Sequence, residues 1–262
     1  MIRTNRAIDG FSNERDFVKK LNSNKKHRFW KILNLTQSKD LFFVKVEGRK
    51  LCKTTNEKIL PKSDVYIAKI NIDEKELKKK NFYIGENSNL DASKFVKNSG
   101  ISVKMRNTNY QIDKSSIDKF IARFGSKELF AGATIYSQNV NDFRKNHKVL
   151  KASKTNWENF SNYFGNSSLK KINKSTNFND THKKIFKKIQ KNSYKEIKSQ
   201  ALRNEKILNS LFKGDEEFDD PFFATWFLIN DEMTQKISTN FYVTKGSSGG
   251  GNHPTVVFKP SR

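Results

Sequence analysis

Apolar and polar side chains alternate along residues 101–106, and this period of two predicts a half-buried strand. One face of that strand carries Ser102, Lys104 and Arg106, while the other face is apolar. A helical period follows at residues 117–124, where apolar residues recur at i, i+3, i+4 and i+7. We therefore expect a strand, a loop and a helix in succession, with a lysine on the strand.

The same reasoning predicts the other elements of the chain. A helix capped by Ser12 is expected at residues 12–21, and Asp113 or Ser115 is suited to cap the helix that ends near Gly125. A long basic helix or helix pair is expected at residues 180–212. Strands are expected at residues 41–46, 64–72, 81–84 and 222–229, with a terminal pair at 237–243 and 255–258.

The charge of the chain points to a polyanionic partner. Its 262 residues carry 51 Lys and Arg against 27 Asp and Glu, a formal charge of +24. The chain contains no apolar run of membrane-spanning length and no signal peptide is visible, so we expect a cytoplasmic protein without a membrane partner. Cys52 is the single cysteine, and the four histidines are scattered, which disfavours a disulfide or a zinc site.

Asp64 begins a predicted strand after Pro61, and Lys104 lies within another strand. Mg²⁺ takes hard oxygen ligands, often one or two carboxylates with waters. In phosphodiester hydrolysis, such an ion polarises the attacking water and neutralises developing charge. A carboxylate and a lysine on neighbouring strands therefore suit metal-dependent cleavage of a nucleic acid.

These segments resemble the PD-(D/E)XK nuclease superfamily, and type II restriction endonucleases in particular. The matching residues are Pro61-Lys62-Ser63-Asp64-Val65-Tyr66-Ile67, Gly100-Ile101-Ser102-Val103-Lys104, Asn109-Tyr110-Gln111 and the helix at 113–124. The resemblance implies an α/β fold with a mixed central β-sheet flanked by helices, a restriction-endonuclease-like core. Residues 1–150 would hold the catalytic strands and the following helix. Residues 151–262 would form a basic helical and strand extension that binds DNA and completes the same fold.

The resemblance also assigns roles to particular residues. Asp64 would bind Mg²⁺, Val103 would offer its carbonyl as a ligand, and Lys104 would orient the water. Gln111 would place a polar group beside the site. The second acidic position of the motif is Ser102 in this chain. A further carboxylate must therefore come from elsewhere, and the candidates are Glu14, Glu47 and Glu86.

DNA contacts are expected from basic and amide side chains, which bind phosphates and base edges. The candidates for this role are Arg106, Asn109, Gln138, Asn139, Arg144, Lys245, Ser247 and Asn252. The leading expectation is thus a Mg²⁺-dependent, site-specific double-stranded DNA endonuclease of restriction type, acting as a homodimer on a palindromic site. The alternatives are a catalytically inactive DNA-binding protein with the same fold and an RNA-binding protein.

Overall fold

The computed structural model describes residues 5–35, 39–88, 94–104, 110–135, 180–246 and 254–261. The chain divides into two compact units: Met1–Tyr110 with Phe212–Ile237, and Gln111–Leu211 with Ser238–Arg262. The chain therefore leaves the first unit, builds most of the second, and returns to complete the first. The predicted boundary at residue 150 lies outside the described residues.

The described helices and strands fit the predicted α/β class. In chain order, the helices are α1 (Asn5–Ser23), α2 (Arg28–Ile32), α3 (Glu74–Lys79), α4 (Ile117–Phe124), α5 (Lys127–Ala133), α6 (Asp180–Arg203) and α7 (Glu205–Phe212). The strands are β1 (Leu41–Lys45), β2 (Lys50–Leu51), β3 (Lys58–Ile59), β4 (Val65–Lys69), β5 (Lys94–Phe95), β6 (Ile101–Lys104), β7 (Asp113–Ser115), β8 (Trp226–Ile229), β9 (Glu232–Thr234), β10 (Phe241–Gly246) and β11 (Thr255–Pro260).

The first unit is built on a mixed β-sheet. Among the described residues, six strands form this sheet in the order β1-β4-β6-β8-β9, and β5 also pairs with β4. The pair β6–β8 is parallel, with Ile101 opposite Trp226, and the other pairs are antiparallel. The prediction of a mixed sheet flanked by helices is confirmed.

Apolar residues cover both faces of this sheet. Val65 and Ile67 of β4 pack in one core cluster, which includes Phe17 of α1, whereas Tyr66 and Ala68 pack in another. The first cluster also contains Trp30 and Phe43, whose rings meet edge to face with centroids 4.5 Å apart. The second cluster includes Leu77 of α3. Because β4 is buried on both faces, the position just before it is held firmly in place.

The second unit has its own sheet and its own aromatic core. Its strands pair antiparallel in the order β10-β11-β7. Phe120 of α4, Phe130 of α5 and Phe258 of β11 are completely buried. Asp113 of β7 is also buried, and its carboxylate forms ion pairs with two cations of α4, Lys119 (2.7 Å) and Arg123 (2.8 Å). The terminal strand pair and the helix pair α6–α7 confirm two of the predicted elements.

Several local predictions are wrong, each for a physical reason. Ser12 lies inside α1, which begins seven residues earlier at Asn5. The cap of α4 is Ser116, since Asp113 and Ser115 belong to β7. Residues 81–84 form no strand, because Asn81 and Phe82 adopt φ angles of +50° and +58°, which extended chains do not have.

Candidate active site

Asp64 and Lys104 meet where β4 begins beside β6. The backbone N–H of Asp64 donates to the Ile101 carbonyl (2.8 Å), which fixes the start of β4 against β6. The Nζ of Lys104 lies 3.8 Å from Oδ2 of Asp64, and the two side chains are 22% and 23% exposed. The structure thus brings together the two residues that the sequence singled out, at a place that solvent reaches.

Two further groups of β6 hold the Asp64 carboxylate. Its Oδ2 accepts hydrogen bonds from the Val103 N–H (2.7 Å) and from the Ser102 hydroxyl (3.2 Å). Ser102 therefore supplies a donor at the position where the family motif has an acid. Val103 reaches the carboxylate through its N–H, whereas the sequence interpretation used its carbonyl. Both contacts orient Asp64 towards Lys104.

Glu14 of α1 joins this group of charges. Burial and the negative charge of Asp64 raise the pKa of Glu14, while the positive charges of Lys45 and Lys104 oppose that effect. Lys45 of β1 forms an ion pair with the Glu14 carboxylate, and its side chain is only 9% exposed. Two carboxylates and two ammonium groups are therefore concentrated at this edge of the sheet.

The position of Glu14 follows from the pattern of α1. Phe17, Val18 and Leu21 are buried in the core of the first unit. Glu14 lies three and four positions before Phe17 and Val18, so it belongs to the same face of the helix. The helix begins well before residue 12, which places Glu14 in its interior rather than in its first turn. An acid on a buried helical face was the signal that separates this candidate from the others.

Glu47 and Glu86 have other partners. Glu47 accepts hydrogen bonds from the Tyr83 hydroxyl (2.8 Å) and the Asn87 N–H (3.0 Å). Glu86 accepts from the Glu47 N–H (2.6 Å) and from Lys50 (2.7 Å). Burial, followed by the Glu47 carboxylate, raises the pKa of Tyr83. Glu47 and Glu86 therefore stabilise the loop after β1. Glu14 is the candidate acid that interacts electrostatically with Asp64.

The donor set is compatible with Mg²⁺. The described ranges contain no cluster of three or more Asp, Glu, His or Cys side chains arranged for a metal. Mg²⁺ nevertheless often binds through one or two carboxylates and keeps several waters. Asp64 and Glu14 provide that number of carboxylates. Burial raises the pKa of Glu14 most and the charge of Asp64 raises it further, and a bound cation would relieve the repulsion between the two carboxylates.

A cleft adjoins Lys104. Its volume is about 550 Å³, and its lining includes Val103, Lys104, Asn13, Lys20 and Arg28. This volume is within the range of ligand sites, roughly 300–1,000 Å³. The cleft therefore gives a ligand direct access to the Lys104 ammonium.

The remaining predicted site residues belong to the second unit or fall outside the described part of the chain. Gln111 is exposed and belongs to the second unit, as does Lys245 of β10. The DNA-binding candidates outside the described residues are Arg106, Asn109, Gln138, Asn139, Arg144, Ser247 and Asn252. Their predicted roles remain predictions.

Sequence reasoning missed Lys45. A lysine at the end of a strand is ordinarily a solvated residue, and this one is buried by its pairing with Glu14. The available signal was its alternation with Phe43, which places the two side chains on the same face of β1.

Comparison with known proteins identifies no relative. No family model matches the chain, and no curated protein or solved structure matches it significantly. The resemblance to PD-(D/E)XK nucleases that the sequence motifs suggest therefore stays a prediction. In the ranges that the structure describes, no helix is both long enough and apolar enough to cross a membrane.

Proposed function

We propose that this protein is a Mg²⁺-dependent, site-specific endonuclease that hydrolyses phosphodiester bonds of double-stranded DNA, as type II restriction enzymes do. The observation that carries the proposal is the meeting of Asp64, Ser102 and Lys104 where β4 begins beside β6. Glu14 is close enough for the charge of Asp64 to raise its pKa. The net charge of +24 supports a polyanionic substrate.

In the proposed mechanism, Asp64 and Glu14 would hold the metal ion, which when bound would lower the pKa of a water molecule and neutralise charge on the phosphate. The Lys104 ammonium orients the attacking water and stabilises negative charge on the phosphoryl oxygens. Ser102 fixes the orientation of Asp64 through its hydroxyl. Lys45 balances the charge of Glu14 within a nearly buried pair.

The reaction is a single displacement at phosphorus. A bond forms between the water oxygen and phosphorus, and the bond from phosphorus to the 3′ oxygen breaks. The water proton passes to solvent, and the departing 3′ oxygen takes a proton from solvent. The products are a 5′-phosphate and a 3′-hydroxyl. Cutting both strands of a palindrome favours a homodimer, which sedimentation on a cognate duplex would detect.

A second function has one observation in its favour. The Oδ2 atom of Asp64 already accepts from Val103 and Ser102 and faces Lys104, and Ser102 replaces the second motif acid. A protein in which these donors outcompete a metal would bind specific DNA sequences without cutting them. This alternative shares the fold and the substrate with the endonuclease, and it differs in the chemical step alone.

Plasmid digestion distinguishes the two functions. The purified protein is incubated with a set of plasmids of different sequence, with Mg²⁺ or with excess chelator. The endonuclease gives discrete fragments that vanish in chelator. Duplex binding without fragments under any metal condition refutes the endonuclease and supports the binding protein. Sequencing the fragment ends identifies the recognition site and the cut positions.

Variants of the two central residues test the mechanism. Asp64→Ala should abolish cleavage, and Lys104→Ala should lower it by about 10²–10⁴-fold, the range for a positioned proton-transfer or charge-stabilising group. Both variants should still bind the cognate duplex in chelator. The matched controls are Asp219→Ala and Lys75→Ala, which remove exposed charges elsewhere in the first unit. Near-normal cutting by either site variant removes that residue from the mechanism.

A further inference from the structure

A second cleft lies next to the one that reaches Lys104. It has a volume of about 500 Å³, and its lining includes Lys25, Lys26, His27 and Lys31. His27 also lines the first cleft, so the two share a wall at this residue. Both clefts belong to the first unit. The two clefts are thus neighbours on the surface of this unit.

Cations follow this path on both sides of His27. Lys20, Arg28 and Lys104 line the first cleft, and Lys26 and Lys31 line the second. We call these six residues, including His27, the basic track. Asp16 and Asp231 also line the first cleft, where Arg28 donates a hydrogen bond to the Asp231 carbonyl oxygen (2.6 Å). That bond anchors the Arg28 guanidinium at the cleft.

Lys25 has a structural role beside the track. Its Nζ lies 3.8 Å from the centroid of the Phe42 ring and 4.6 Å from that of Trp30, and it donates to the Leu41 carbonyl oxygen. These contacts tie the lysine to the core side of the cleft wall. The exposed Lys26 and Lys31 are consequently the groups that a ligand in the second cleft meets.

His27 shows that positive charges are crowded where the clefts meet. Burial lowers the pKa of His27, and the neighbouring charges of Lys20 and Arg28 lower it further. Its Nδ1 accepts from the Phe29 N–H (3.4 Å), so the neutral imidazole carries its proton on Nε2. A hydrogen-bond donor therefore lines the same cleft as two cations. An anionic ligand suits this combination of groups.

We propose that the basic track binds the backbone of the DNA strand on one side of the scissile phosphate. Successive phosphates lie against Lys104, then against Lys20 and Arg28, and then against Lys26 and Lys31. The Lys104 end of this path rests on the proposed function. The rest depends on the two adjacent clefts and on the cations that line them. The track thus gives the strand a direction, away from Asp64 and along α2.

Salt dependence of binding measures these contacts without any cleavage. A fluorescently labelled duplex of mixed sequence is titrated with the full-length protein in excess chelator at several salt concentrations. The slope of log K against log salt changes by about 0.9 for each phosphate contact. The variants Lys20→Gln/Arg28→Gln and Lys26→Gln/Lys31→Gln should each make the slope shallower by roughly 1–2 and weaken binding at low salt.

The control variant is Lys75→Gln/Lys79→Gln. It removes the same two charges from exposed positions of α3 in the same unit, and its slope should equal that of the wild type. Circular dichroism and thermal melting confirm that each variant is folded. If the loss of the Arg28 bond unfolds one variant, the exposed Lys26 and Lys31 pair still decides the outcome.

Three results would overturn the proposal. The first is a slope unchanged in both track variants, and the second is an equal change in the α3 control. The third is displacement of the duplex by single-stranded RNA at lower concentration than by unlabelled duplex, which assigns the track to RNA. Failure of the proposed endonuclease function would give a different result. In that case the protein never cuts DNA with Mg²⁺, but the track variants still show the expected slopes, and only the catalytic proposal is refuted.

Discussion

Asp113→Asn should destabilise the second unit strongly. The Asp113 side chain is 1% exposed, and its two oxygens accept from Lys119, Arg123 and the Ser115 hydroxyl. An amide of the same size removes the negative charge and leaves both cations without it. Lys119 is 11% exposed, but Arg123 is only 3% exposed and has little access to water.

Breaking a buried ion pair by removing one partner costs about 3–5 kcal/mol. With a urea m-value of about 2 kcal/mol/M, a loss of about 4 kcal/mol lowers the unfolding midpoint by about 2 M. Urea unfolding followed by far-ultraviolet circular dichroism measures this shift. The control is Asp118→Asn on the exposed face of α4, which should cost no more than about 1 kcal/mol.

The comparison between Asp113→Asn and Asp118→Asn decides whether the Asp113 carboxylate is needed to neutralise the two cations. If the losses of unfolding free energy in the two variants differ by less than about 1 kcal/mol, other groups compensate the cations and the prediction is wrong. A triple replacement, Asp113→Leu with Lys119→Met and Arg123→Leu, removes all three charges. It should recover most of the loss, because apolar groups need no counter-charge.

Three further predictions concern the first unit. Added Mg²⁺ should raise the melting temperature of the wild type over its value in chelator and should raise that of Glu14→Gln much less, because the variant lacks one of the two carboxylates proposed to hold the ion; an equal rise in both proteins contradicts the proposed ligand. Burial lowers the pKa of Lys25 from 10.5 to about 8. Between these two pH values the unfolded chain binds a proton at Lys25 that the folded protein does not, so the wild type should gain stability relative to Lys25→Met as the pH rises from 8 to 10.5. Parallel urea-unfolding stabilities across that window would exclude a buried ammonium. Gly100→Ala should cost at least about 2 kcal/mol in urea unfolding, since a Cβ there would lie 2.0 Å from the Phe223 carbonyl oxygen, and a neutral effect would show that the backbone moves aside easily.

Local sequence patterns predicted the elements that carry their own periodicity. The alternation at residues 101–106 placed Ser102 and Lys104 on β6, and the terminal strands pair as expected. The helix pair α6–α7 is present as well. In α6, Ala201 is buried because it lies four residues after the buried Ile197, whereas the next residue, Leu202, points away from the core and is 42% exposed.

Features that depend on distant partners were not predictable in this way. The periodicity of α1 places Glu14 on its buried face, but only the folded structure shows that Glu14 pairs with Lys45 and that Glu47 bonds to Tyr83. The division into two units is equally hidden. Residues 222–229 read as a buried strand, but nothing in that run states that β8 pairs with β6 of the first unit.

The parallel pairing of β6 with β8 has a consequence for synthesis of the protein. Ile101 and its partner Trp226 are separated by about 125 positions, and ribosomes add roughly 5–20 residues per second. The strand that bears Lys104 therefore waits about 6–25 s on the ribosome before its neighbour has even been made. The sheet beside Lys104 is therefore completed only after the chain has been synthesised as far as β8.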